Sequence, residues 1–177
     1  MEISTNKKIS LGIVLVGGLS VLGSYVPVFQ NTETLWYDIN TNLIKFYFLP
    51  LMLVAAGGFL TYFIEYLIKP DPQKGLLSYG FTHPLLLAIL LLASTAWSIF
   101  QVRHVKTNQP MYAILASTSL VVTAICSILL LAGTVEADES WLGVVGLGLF
   151  CLTTVINDGV VYNAKMIFET FRETSRS

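Results

Sequence analysis

Glu65 and Asp158 stand out because each lies in an otherwise apolar stretch of the chain. An ionised acid near the centre of a membrane helix costs about 2.5–3.5 kcal/mol, falling toward the interface, so such a residue is a functional candidate by default. Thr154, Asp158 and Tyr162 recur at i, i+4, i+8, and Thr153 and Asn157 form the neighbouring row. Together they draw a polar face on the last third of an apolar helix, which in lipid must turn toward other helices or a cavity. Two uses fit that face: a polar contact that fixes helix packing, or a contact to a ligand, an ion or a partner subunit. Arg103, His104 and Lys45 fall on the same side of the membrane and are available to neutralise it. Glu65 precedes Lys69 by four residues, the favourable order for an ion pair on one helix face, with Thr61 one turn earlier. The structural reading is a pair snorkelling at the interface. The functional reading is a proton or cation site that His83, on the same side, would complete. Glu65 and Asp158 both fall near the C-terminal ends of their spans, but those spans run in opposite directions and put them at opposite membrane faces, which argues against a two-carboxylate acid/base site of the kind used in catalysis.

Other chemistry is missing. His83 and His104 are 21 residues apart, about 31 Å at helical rise, so they cannot both ligate one haem. Cys126 and Cys151 stand alone with no C-x-x-C spacing and read as small apolar filler. The chain has no G-x-S-x-G, H-E-x-x-H or P-loop motif. No set of His, Cys, Asp and Glu has metal-ligand spacing, and Glu136, Asp138 and Glu139 read as a solvated loop. The sequence therefore predicts neither a cofactor nor a metal, and it points away from an enzyme.

The elements that position these residues follow from composition. Only 12% of the 177 residues are charged and 54% are hydrophobic, with a mean hydropathy of +0.70. A soluble domain carries about 25% charged residues, so the composition is that of an integral membrane protein. A net charge of −1 without a basic cluster excludes nucleic acid as a partner. Crossing the hydrocarbon takes about 20 apolar residues, and five stretches meet or approach that length: 9–29, 46–68, 84–102, 112–133 and 141–162. Of the charged residues, only Glu65 and Asp158 fall inside them. The predicted fold is all-α, a polytopic membrane helix bundle of about five transmembrane helices forming one domain over 1–177. The tail at 163–174 has the pattern of an amphipathic helix. The apolar runs lack period-2 alternation, which excludes a barrel.

Prolines and aromatics agree with this map. Pro70 and Pro72 end the second span, and Pro84 and Pro110 sit at the starts of the third and fourth. Trp36, Tyr37, Tyr47, Trp97, Tyr112 and Trp141 fall where an aromatic belt belongs. Small residues allow close helix approach: a Ser119, Thr123, Ser127 ladder, the pairs Ser20/Ser24, Gly57/Thr61 and Ser94/Ser98, and Gly143, Gly146 and Gly148. The first span lacks an A-x-A-like site after it and reads as a retained helix. Lys45, Arg103, Lys106, Lys165, Arg172 and Arg176 outnumber Lys7, Lys8, Lys69 and Lys74 across the membrane. The positive-inside rule then puts the tail in the cytoplasm.

These features predict a small, non-catalytic accessory or structural subunit of a larger membrane complex. Its expected partners are the lipid bilayer and other membrane subunits or further copies of the chain. A small oligomeric channel or transporter using the Asp158/Asn157 face or Glu65 is the alternative. An intramembrane lipid-modifying enzyme is a third reading, for which the sequence supplies neither nucleophile nor metal site.

Overall fold

A computed structural model describes residues 4–30, 49–71, 73, 75–137 and 141–164, except for the side chains of Phe29, Leu49, Asn157, Asp158, Val161 and Tyr162. The described residues form helices and connections, with no strand among them. In chain order the elements are α1 (Thr5–Gln30), α2 (Leu49–Ile68), a 3₁₀ turn (Leu76–Ser78), α3 (Thr82–Thr107), α4 (Pro110–Glu136) and α5 (Trp141–Leu152). A ten-residue π-helix, Thr153–Tyr162, continues α5 directly. The first four helices contain stretches long and apolar enough to cross a membrane, and α5 with its π continuation adds a fifth element. The chain is an all-helical membrane bundle.

Local sequence fixes several helix ends. Ser4 caps α1, its hydroxyl 3.4 Å from the Lys7 amide, the third position of the helix. Pro110 opens α4, where its missing N–H costs nothing. Asn108 closes α3 in the left-handed region at φ 50°, and its N–H donates to the His104 carbonyl at 2.8 Å. That cap lies six residues past the span predicted from hydropathy. Arg103, His104 and Lys106 therefore ride on the last turns of α3 instead of in a loop. Helix α4 likewise runs to Glu136, beyond the predicted 133.

The helices neighbour one another in the spatial order α1, α3, α4, α5, α2. Helix α3 lies between α1 and α4, and α5 touches both α4 and α2. The aromatic side chains Phe59, Tyr62, Phe63 and Tyr66 of α2 share a core with Leu87 and Leu90 of α3, Leu130 of α4 and Leu147 of α5. A second cluster joins Val28 of α1, Trp97 of α3 and Ala113, Ala116 and Leu120 of α4. Trp97 is thus a core residue, 6% exposed and 5.5 Å from the Tyr25 ring, and does not join an interfacial belt.

Lipid tails are as apolar as leucine, so association inside a bilayer depends on close packing more than on burial from water. Glycines supply the closest approaches. A Cβ on Gly146 would come within 2.6 Å of the Gly58 carbonyl oxygen, and one on Gly58 would strike the Gly146 carbonyl. Helices α2 and α5 therefore meet backbone to backbone. Gly133 leaves room for Leu77 of the 3₁₀ turn, and Gly17 for Leu91. Gly57, from the small-residue pair noted in the sequence, has nothing within 4 Å of its added Cβ. Its neighbour Gly58 makes the contact instead.

Candidate functional site

The main polar cluster brings together the beginning of α1, the end of α2 and the beginning of α3. Lys7 and Ser10 lie one turn apart on α1, and both are buried. Tyr62 and Tyr66 lie one turn apart on α2 and are also buried. His83, at the second position of α3, sits between the two pairs at 2% exposure. Its Nδ1 is 3.1 Å from the Ser10 hydroxyl, and its Nε2 is 2.6 Å from the Tyr62 hydroxyl. The Tyr66 ring stacks on the imidazole with centroids 3.7 Å apart at 22°. A neutral imidazole offers one donor and one acceptor, and each hydroxyl can play either part, so the chain Ser10–His83–Tyr62 is satisfied without a net charge.

Lys7 completes the cluster from above. Its ammonium donates to the Lys69 carbonyl just past α2, lies 3.6 Å from the Asp71 carboxylate and stands 5.6 Å over the Tyr66 ring. A cation at this position is favourable, because the C-terminal carbonyls of α2 carry the negative end of the helix dipole. The Ser4 hydroxyl donates to Asp71 Oδ1 at 3.0 Å, and the Asn6 amide donates to the Gly80 carbonyl at 2.8 Å. Ser, His, Lys and Asp are the residue types of nucleophilic catalysis. Here Ser10 has no exposed surface, and the cluster binds three helix ends to one another.

Glu65 stands on the same side of the bundle, with Oε2 3.4 Å from Lys69 Nζ. Thr61, the next turn down, is exposed and donates to its own helix at Gly57. The hydrogen bonds of the His83 ring run to Ser10 and Tyr62.

Thr154 belongs to a different arrangement. Its hydroxyl lies 2.9 Å from Ser127 of α4 and donates to the Cys151 carbonyl at 3.2 Å. Ser119 and Thr123, further along the same α4 ladder, are buried and donate to carbonyls four residues back, and Thr123 lies 3.5 Å from Ser94 of α3. The buried Asn163 donates to the Ser117 and Gly159 carbonyls, both at 3.3 Å. Thr154 and Asn163 thus both meet α4. Nine residues of α-helix make two and a half turns and would place them on opposite faces. The wider π winding brings them to one face. Asn157 and Asp158 fall within this π segment, and their side chains lie outside the described residues.

At the other end of α3, His104 is buried with Nδ1 3.0 Å from the Gln109 carbonyl. Because a carbonyl only accepts, Nδ1 carries the proton. Arg103 stands 5.8 Å over the Tyr112 ring. Among the described residues, no three His, Cys, Asp or Glu side chains gather to hold a metal. Cys126 and Cys151 are buried and free.

Ser10, Tyr62, Tyr66, Lys7 and Asp71 were not anticipated. The one available signal was their common location at the same end of three predicted helices. No protein-family model, curated protein or solved structure matches this chain.

Proposed function

We propose that this integral membrane protein is a non-catalytic subunit of a larger membrane assembly, with its C-terminal tail on the cytoplasmic side. The observation that carries this reading is the use made of His83. In this cluster of catalytic residue types, both ring nitrogens are taken up by hydroxyls from two other helices, and a tyrosine covers the ring. The buried hydroxyls of α4 give further support, because they donate to carbonyls of their own helix. A channel needs polar groups turned to a water path; a scaffold needs them matched inside, and internal matching is what this arrangement provides. The tail's placement rests on the excess of Lys and Arg on its side.

Native mass spectrometry after gentle detergent extraction tests the proposal. Reproducible partner chains at near-equal stoichiometry are expected. A lone monomer or a closed homo-oligomer would overturn it.

A further inference from the structure

Helix α5 changes winding at Thr153 and keeps the wider form for ten residues, to Tyr162. π-Helices are mostly single-turn insertions in an α-helix and are frequent at functional sites, so a run of this length needs something outside itself to hold it. Contact with α4 at its two ends supplies that hold. At the near end the Thr154 hydroxyl is 2.9 Å from that of Ser127. At the far end the Asn163 amide donates to the Ser117 carbonyl at 3.3 Å. Between them Gly159 brings the backbone against α4, where an added Cβ would lie 3.4 Å from the Ala124 side chain.

The two ends are not equally secure. Thr154 is the second residue of the π segment, and its hydroxyl also donates to the Cys151 carbonyl of α5. A change of winding beyond it hardly moves it. Asn163 stands past the other end and collects the whole difference. Nine residues of α-helix cover two and a half turns, and nine of π-helix cover about two. A return to α winding therefore swings Asn163 by about half a turn, away from α4. Its grip is also the poorer one. Both bonds of its amide nitrogen are 3.3 Å long, and its Oδ1 is buried with no hydrogen-bond partner among the described residues. A buried acceptor without a donor favours any arrangement that opens it to water. Asn163 lies one residue past the predicted span 141–162, so an outward swing carries its amide to the headgroup region.

We propose that Thr153–Tyr162 is a two-state winding switch. In the seated state the segment is π-wound and Asn163 is bonded to α4. In the released state it is α-wound, Thr154 keeps its place beside Ser127, and Asn163 is turned by about half a turn about the α5 axis together with the chain that follows. The segment converts the making or breaking of one side-chain contact into a rotation of everything C-terminal to it. Whatever satisfies Asn163 in one winding selects that winding.

Spin-label distances in phosphatidylcholine vesicles test this. One nitroxide is placed at Ala164→Cys and the other at Ile114→Cys of α4 or, in a second preparation, at Leu53→Cys of α2; all three positions are exposed. Singly substituted proteins set the background from Cys126 and Cys151, both buried. A half turn carries a side chain about 10 Å across the helix, and the two preparations view that shift from two directions. Two distance populations are expected with no further substitution. Asn163→Ala should raise the ratio of released to seated label about fivefold, the effect of losing one hydrogen bond. Deleting Val155 and Ile156 cuts the spacing from Thr154 to Asn163 from nine to seven (163 − 154 − 2), about two turns of α-helix. Both contacts with α4 then fit α winding, and the seated population alone should remain. A single population that ignores Asn163→Ala would overturn the proposal, as would a deletion variant that keeps both populations. A continuous spread of distances would mean a loose end in place of two windings and would overturn it too.

Discussion

The cluster around His83 and the hydroxyl seam between α4 and the π-helix are both buried polar regions of a membrane bundle, yet they are built on opposite principles. In the cluster, side chains bond across long separations: Ser10 to His83 spans 73 residues and Ser4 to Asp71 spans 67. In the seam, most of the described hydroxyls donate three or four residues back along their own helix, while Ser94–Thr123, Ser127–Thr154 and the Asn163 amide to the Ser117 carbonyl cross between helices. A hydroxyl bonded to its own turn is content in any packing arrangement. An imidazole whose partners come from two other helices is content in one arrangement only. The cluster therefore specifies how α1, α2 and α3 meet, and the seam mainly permits α4 and the π-helix to approach.

The contrast should appear in energies. His83→Ala removes the partner of two buried hydroxyls and the ring stacked under Tyr66, and should cost about 2–4 kcal/mol. Reversible unfolding in mixed micelles measures it, and a loss below that of any seam substitution would break the contrast. Lys7→Met keeps the stem but removes the ammonium from the Lys69 carbonyl and from Asp71. Asp71 remains partly solvated, so a smaller loss of about 1–2 kcal/mol is expected. Hydrogen exchange should quicken in the first turns of α1 and stay unchanged in α4; equal acceleration in both would show that the cluster does not hold α1 selectively. The smallest effect belongs to the seam. A double-mutant cycle on Ser127→Ala and Thr154→Val should give a coupling of about 0.6 kcal/mol, the usual size for such bonds within membranes. A coupling above that of the Ser10–His83 pair would reverse the ranking.

What could be read in advance divides along the same line. The helices, the α4 ladder and the Glu65–Lys69 spacing are local patterns, and hydropathy and i+4 counting find them. Helix ends were less visible, because hydropathy reports the membrane boundary while α3 continues to its Asn108 cap. Trp97 has the composition of a belt residue and the packing of a core residue, and only the position of Tyr25 decides between them. The partners of His83 could not be found by any local count, since nothing at Ser10 or Tyr62 refers to position 83. The π winding escaped as well: side-chain patterns assume 3.6 residues per turn, and a change of winding at Thr153 alters which residues share a face. Gly58 was passed over for Gly57, a difference of one position that only the neighbouring backbone reveals.

The contact between Gly58 and Gly146 also imposes a schedule. The two glycines are 88 positions apart (146 − 58), and α5 is the last membrane element of the described chain to be synthesised. Helices α3 and α4, joined by a short connection, can pair as soon as both have left the ribosome. The glycine face of α2 has to wait in the lipid, uncovered, until α5 has been made. Closing the bundle thus depends on the last of the described helices, and α2 is the one among them exposed to misplaced partners for the longest time.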